Sequence, residues 1–370
     1  MSASLARIVG LDVARAIALL GMFASHVGNE HPPDGWPWLE VFHGRSAAIF
    51  AVLAGVSMAL MLTRRAARAY AAAATASPAP ADRAGRPEAH ASDREALRHT
   101  RIRIAVRASL LIPLGWVLSA LGTPVDVILD NLGVMMLLAL VGLGLPARVL
   151  GAAGVLVLVA GTAVVDGLRV IVPAWLADAP VVHELWSQHY PALSWLGHVL
   201  IGMAIGTWRP WRGWRLAALG IGGAVVGAGM WLGGRLTGGD PAWTEVEPHS
   251  YTPVEMLSNT GVAAAVVAAC LAAAALSRRT LWPLAAAGSM TLTLYAAHIV
   301  VIAIVGDALV WRSTNTAMLV LCAAAVAFAS AWRALLGQGP LERVVSWASS
   351  RAADADARRR IGPPDATMSA

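Results

Sequence analysis

Long apolar runs, each about one bilayer crossing in length, alternate along the chain with short joints rich in arginine, proline and tryptophan. A helix through the hydrocarbon core needs about 20 mostly apolar residues. The runs lie at Ile8 to Val27, 44–63, 104–121, 126–145, 149–171, 193–207, 214–234, 254–276, 283–306 and 316–336. They predict an all-α, polytopic integral membrane bundle of about ten transmembrane helices, and a count of nine to eleven fits the pattern. The first run carries Asp12 and Arg15 and no small-residue cleavage site, so it is read as a retained helix.

The joints orient the bundle. With the N-terminus inside, the inner joints gather Arg64, Arg65, Arg68, Arg83, Arg86, Arg94, Arg98, Arg101, Arg103, Arg148, Arg209, Arg212, Arg215, Arg278 and Arg279. The outer joints hold little beyond Arg45, Arg235 and Arg312, and carry Asp34, Glu40, Asp178, Glu184, Asp240, Glu245 and Glu247. This alternation follows the positive-inside rule and places both termini in the cytoplasm. Trp208, Trp211, Trp214, Trp282, Trp311 and Trp332 fall near run ends, as an interfacial belt requires. Residues 1–346 read as one membrane domain interrupted by a flexible cytoplasmic loop at about 66–100. Residues 347–370 read as a basic, disordered tail.

Composition sharpens this. With 57% hydrophobic and 14% charged residues, and a mean hydropathy of +0.62, the chain is too apolar for a soluble domain, a disordered protein or a disulfide scaffold. The net charge of +6 rests on arginine without lysine, and in this context it signals topology rather than nucleic acid. Cys270 and Cys322 sit inside apolar runs and read as packing residues.

Candidate chemistry begins in the first run. Asp12 and Arg15 are three apart and share a helix face. Arg15 and His26 are eleven apart, about 20° around a helix and about 16 Å along it. Ionisable groups in a span face a cavity or the bundle interior, although Asp12 and Arg15 also fit a structural ion pair. The following loop holds His31, His43, Asp34 and Arg45. His26, His31, His43, His183, His189, His198, His249 and His298 map to the outer half, and only His90 and His99 to the inner. Imidazole is the natural base near neutral pH. No HxxxH pair lies on one helix, so no metal is expected. In the ninth run His298 follows Tyr295 by one turn, at the depth expected for His26. Asp126, Asp130 and Asn131, and likewise Glu255, Ser258 and Asn259, read as helix caps or interface polar groups. The inner arginines suit anionic lipid headgroups and equally the phosphates of a nucleotide-type donor.

These segments resemble the transmembrane acyltransferase superfamily. The spacing of Arg15 and His26 is similar to that of bacterial membrane O-acyltransferases. LDVARAIALLGM, GRSAAIFAVLAGVS, SMTLTLYAAH and the ending GPLERVV resemble bacterial relatives of heparan-alpha-glucosaminide N-acetyltransferase. The resemblance implies acetyl-CoA or another acyl-CoA bound from the cytoplasm, and an extracytoplasmic sugar or small-molecule acceptor. It makes His26, His31 and His298 the candidate catalytic residues, with Asp12, Arg15 and Arg45 as candidates for donor binding. In that branch the position of His26 carries asparagine and the histidine follows later in the loop. His31 is the nearest match there, so the identity of the base stays open, and Arg15–Ala16 replaces the usual arginine–glycine pair. The expected home is the plasma (inner) membrane of a bacterium, with a homodimer left open. A transporter or flippase of a small polar solute or lipid is the competing reading, because intramembrane Asp12, Arg15 and His298 suit that role too; no two-halves symmetry is visible. A catalytically dead scaffold is the third.

Overall fold

The computed structural model describes residues 7–76, 86–240 and 243–361. Among them there is no strand. The helices are α1 (Val9–Val27), α2 (Arg45–Ala76), α3 (Arg86–Ser119), α4 (Leu129–Ala139), α5 (Ala147–Ile171), the single turns α6 (Ala174–Ala177) and α7 (Pro180–His183), α8 (Ala192–Trp208), α9 (Gly213–Leu236), α10 (Pro253–Leu276), α11 (Trp282–Gly288), α12 (Thr291–Val305), the short α13 (Ala308–Trp311), α14 (Asn315–Leu335) and α15 (Pro340–Ile361).

Each of the ten apolar runs became a helical segment, but they are not equal. Among the described residues seven helices are long and apolar enough to cross a membrane. The 283–306 run is not one straight helix: α11 and α12 meet at a 76° bend and make an eighth span only as a broken pair. The 126–145 and 193–207 runs are the shorter apolar helices Leu129–Gly142 and Ala192–Trp208. At 1.5 Å per residue these reach roughly 21 and 26 Å, short of the roughly 30 Å hydrocarbon core. Both are largely buried among other helices, so they need not match the bilayer themselves.

Two expectations of disorder give way to helix. α2 continues to Ala76 and α3 starts at Arg86, so most of the 66–100 loop is helical. The alanine-rich stretch after Arg65 has high intrinsic helix propensity, and Pro87 sits where the first turn tolerates proline. Arg83 lies outside the described residues. The tail forms α15 as far as Ile361, and 362–370 lie outside the described residues. Its polar face pairs with α3: Arg98 Nε donates to Asp356 Oδ2 at 2.8 Å, His99 Nε2 meets Asp354 Oδ1 at 3.3 Å, and Arg107 Nε donates to Ser349 Oγ at 3.2 Å.

α1 lies at the centre, packed by α2, α10, α11 and α14. Without a strong hydrophobic force between helices in lipid, close approach of small residues drives association. At the α1–α11 crossing a Cβ on Gly288 would stand 1.6 Å from the Asp12 carbonyl oxygen. Where α2 crosses α8, Cβ atoms on Gly55 and Gly202 would each stand 2.0 Å from a backbone oxygen of the facing helix. Arg7, Arg15, Arg64 and Arg103 gather at one end of this bundle, the arginine end. His26, His43 and His249 gather at the other, the histidine end.

The glycine at this crossing is testable. Gly288→Leu forces backbone apart and should cost more than the ~1–3 kcal/mol of ordinary overpacking, leaving no monodisperse peak on size-exclusion chromatography. Gly229→Leu, where an added Cβ meets nothing within 4 Å, should elute and melt like the wild type.

Candidate active site

The arginine end holds a cavity of about 590 Å³. Asp12 in α1 is buried and takes Arg7 Nε, Arg7 Nη2 at 3.2 Å and Arg15 Nη1 at 2.6 Å. The second Arg15 nitrogen, Nη2, donates to Ser57 Oγ of α2 at 2.7 Å, and that hydroxyl donates to the Leu53 carbonyl at 2.6 Å. One carboxylate is thus shared by two guanidiniums, which meets the rule that buried charge is paired. Arg64, Arg65, Arg103 and Arg107 complete the wall, so six arginines face Asp12 and Glu342. Glu342 of α15 is already committed. It accepts from Leu292 N at 2.7 Å, Thr293 N at 3.1 Å and Thr293 Oγ1 at 2.6 Å, and so caps the otherwise orphaned amides of α12. The remaining excess of positive charge suits a polyphosphate.

Arg15, Ser57 and Arg107 also line the next cavity inward, of about 270 Å³. Its walls are mainly Met22, Phe50, Leu53, Leu111, Leu132 and Met136 from α1 to α4, with Tyr295 of α12. The Tyr295 hydroxyl accepts from Ile128 N at 3.2 Å, and Thr291, Gln338 and Glu342 join Arg15, Ser57 and Arg107 as the polar part of a mainly apolar wall. Met22 is shared with a third cavity, of about 180 Å³, at the histidine end.

That third cavity is lined by His26, His43, His249, Asp126, Ser46 and Tyr190 among others. His26 Nδ1 lies 3.1 Å from His298 Nε2, with the rings stacked at 5.3 Å. His298 is buried, rests on Phe23 at 4.6 Å, and points Nδ1 at the Tyr295 carbonyl. A carbonyl only accepts, so His298 Nδ1 carries a hydrogen. In a neutral pair its Nε2 then accepts from His26 Nδ1–H. This assigns the basic lone pair to His26 Nε2, with His298 fixing ring and tautomer. His43 Nε2 meets Glu30 Oε2 at 3.1 Å, and His189 Nδ1 meets Asp126 Oδ1 at 3.2 Å. His249 Nδ1 lies 3.2 Å from the Tyr251 hydroxyl. Burial first, then the neighbouring His189 and His43, hold the loop residue His249 down to about 4.

The start of α2 forms one wall. Gly44 precedes the helix with φ +68° and has no side chain to cap it. Arg45 N donates to His43 O and Ala48 N to Gly44 O, while the Ser46 and Ala47 amides lie in the first turn, where a helix offers them no carbonyl. The Ser46 hydroxyl is buried without a hydrogen-bond partner. Gly21 of α1 keeps that hydroxyl clear, since a Cβ there would stand 2.4 Å from Ser46 Oγ. Such a set of donors suits a developing oxyanion.

The structure brings Asp12 and Arg15 together at one end of this path and His26 and His298 at the other. It does not bring in His31, which is exposed and held through its backbone, its amide donating to Asn29 Oδ1 at 3.0 Å and its carbonyl accepting from Gly35 N at 2.8 Å. Arg45 stands at the histidine end with Nη1 on the Val41 carbonyl at 3.2 Å, far from the company of Asp12 and Arg15, and faces an outer groove instead. Sequence reasoning missed Ser46, Ser57, Arg107 and Glu342, none of which carries a spacing signal. Of the two roles read for Glu255, helix cap or interface polar group, it takes the second: Thr252 caps α10, and Glu255 accepts from His249 N, Tyr251 N and Asn259 Nδ2 and holds the loop beside the cavity.

Helices of membrane-crossing length around a charged mouth, a mainly apolar middle and a histidine-lined far end define a helical membrane protein with cavities at both ends. Residues 7–233 match the family model for heparan-alpha-glucosaminide N-acetyltransferase, catalytic, and residues 199–352 match a protein family of unknown function, DUF418. The first match spans more than half of the chain, and the protein belongs to that membrane N-acetyltransferase family. No curated protein and no solved structure matches it. The site draws on both matched regions, because Arg15 and His26 fall in the first and His298 and Glu342 in the second.

The depressed His249 predicts a pH effect. Between pH about 6.5 and 4 the unfolded chain binds a proton that the folded chain refuses, so stability should rise with pH across this window. Thermal melts of the detergent-solubilised protein should show this rise, and His249→Gln should flatten it.

Proposed function

We propose that the protein moves an acyl group, with acetyl as the first candidate, from acyl-CoA at the arginine end to a hydroxyl or amine at the histidine end. In this reading the arginine end is cytoplasmic. The acceptor is an extracytoplasmic glycan or small molecule at the plasma membrane. One observation carries the proposal: three adjoining cavities, linked through Arg15 and then Met22, lead from six arginines to the His26–His298 pair.

The donor phosphates would rest against Arg64, Arg65, Arg103 and Arg107. The pantetheine arm would follow the apolar section past Met22. Arg15 and His26 are about 16 Å apart along α1, within the reach of that arm. His26 Nε2 takes the acceptor proton as the acceptor oxygen or nitrogen attacks the thioester carbonyl. The oxyanion forms against the Ser46 hydroxyl and the amides of Ser46 and Ala47. Collapse breaks the carbon–sulfur bond, and the imidazolium returns its proton to the departing CoA sulfur. His298 is a positioning residue that holds His26 in the reactive tautomer. A histidyl-acyl intermediate on His26 is the variant route.

The test is turnover of radiolabelled acetyl-CoA by purified protein with a panel of amino sugars, neutral sugars and simple amines. His26→Ala should lower kcat by about 10²–10⁴-fold with KM for acetyl-CoA little changed. Ser46→Ala should lower kcat by about 10²-fold. Arg107→Ala should instead raise KM for acetyl-CoA and leave kcat near wild type. Folded wild-type protein that neither binds nor consumes acetyl-CoA would end this reading.

A further inference from the structure

A second cavity at the arginine end, of about 670 Å³, adjoins the donor mouth at Arg7 and Ile8 and opens on the other side of α1. It is bounded by the start of α1, the turn between α8 and α9, and the end of α10. Five arginines line it: Arg7, Arg209, Arg212, Arg215 and Arg278. No carboxylate is among its lining residues. Arg7 is occupied by Asp12, and Arg215 donates to the Trp208 carbonyl at 3.2 Å and lies over the Trp214 ring at 5.7 Å. Among the described residues Arg209, Arg212, Arg215 and Arg278 form no ion pair, and all four are exposed.

The rest of the wall is apolar. Leu271, Ala274 and Ala275 of α10 run down one side and Trp211 closes another. Beyond them Leu276 is 89% exposed and Trp214 70% exposed, so the apolar side continues into the outer surface of the bundle. Convergent guanidiniums, an interfacial tryptophan cluster and an apolar wall running outward are complementary to an anionic head joined to a hydrocarbon tail. A nucleotide would use the charges and leave the apolar wall unused. Four uncompensated guanidiniums exceed what one phosphodiester needs and suit two negative charges.

We propose that this cleft is a binding site for an anionic phospholipid with a doubly charged headgroup. The phosphates sit among Arg209, Arg212, Arg215 and Arg278, and an acyl chain lies along Leu271 and Ala275. The cleft adjoins the donor mouth through Arg7 and Ile8, but Arg209, Arg212, Arg215 and Arg278 do not line that mouth, and lipid binding by them does not depend on the transfer reaction.

The experiment is native mass spectrometry of the full chain, purified and stripped of lipid in detergent. It is titrated with diphosphatidylglycerol, phosphatidylglycerol and phosphatidylcholine. Diphosphatidylglycerol should be retained about tenfold better than phosphatidylglycerol, and phosphatidylcholine least. Arg209→Gln with Arg212→Gln should lose that preference by about tenfold or more, as should Arg278→Gln alone to a smaller degree. Arg279→Gln, next door but outside the cleft, should keep it. Excess acetyl-CoA or pyrophosphate should leave the lipid in place. Equal retention of the three lipids, or unchanged retention by the cleft variants, overturns the proposal. Displacement by acetyl-CoA or pyrophosphate also overturns it, by making the cleft a soluble-phosphate site.

Discussion

Asp12, buried in the first helix between Arg7 and Arg15, is the interaction on which the rest of the site depends. An unpaired carboxylate at that depth would be prohibitive, and its two partners are what bring positive charge into the bundle. Arg15 then gives a second nitrogen, Nη2, to Ser57, which ties α1 to α2. On the backbone side of the same residue, the Asp12 carbonyl lies against Gly288 and brings α11 close. One position therefore sets the electrostatics of the mouth and the packing of the helix that leads to His298.

The histidine end depends on a break rather than on a continuous span. α11 stops at Gly288, the chain turns by 76°, and α12 starts afresh with unsatisfied amides. Those amides are met by Glu342, delivered from α15 some 50 residues later. Non-helical backbone is tolerated at membrane depth only where protein or a cavity satisfies it. Here the cap does so, and at the same time it commits one carboxylate of the arginine-lined mouth. The bend in turn helps set where α12 carries His298, one turn beyond Tyr295, whose carbonyl fixes the His298 tautomer and through it that of His26.

The three cavities divide the chemistry by dielectric. Charge is concentrated at the arginine end, the middle is mainly apolar, and imidazoles and amide dipoles occupy the far end. A pair of neutral imidazoles in such surroundings costs less than an ion pair, and fixed donors act more strongly there than in water.

The sequence by itself determined the class and most of the elements. Each of the ten apolar runs became helical, nine as one segment and 283–306 as the bent pair α11 and α12, because 20 or so apolar residues in lipid have little choice but helix. It also determined which side chains share a face of α1, since Asp12, Arg15 and His26 are related by helix geometry alone. Where it read loop and tail, 66–76 and 86–100 continue the neighbouring helices α2 and α3, and the tail forms α15, packed on α3 with Asp354 and Asp356 against His99 and Arg98. Tertiary structure alone decided that His298 meets His26, that Arg45 and His31 stay outside the path, and that Ser46, Ser57, Arg107 and Glu342 enter it. These are pairings between helices distant in sequence. No periodicity within one helix encodes them, because they are fixed by where small residues let backbones touch and by which buried polar groups must find a partner.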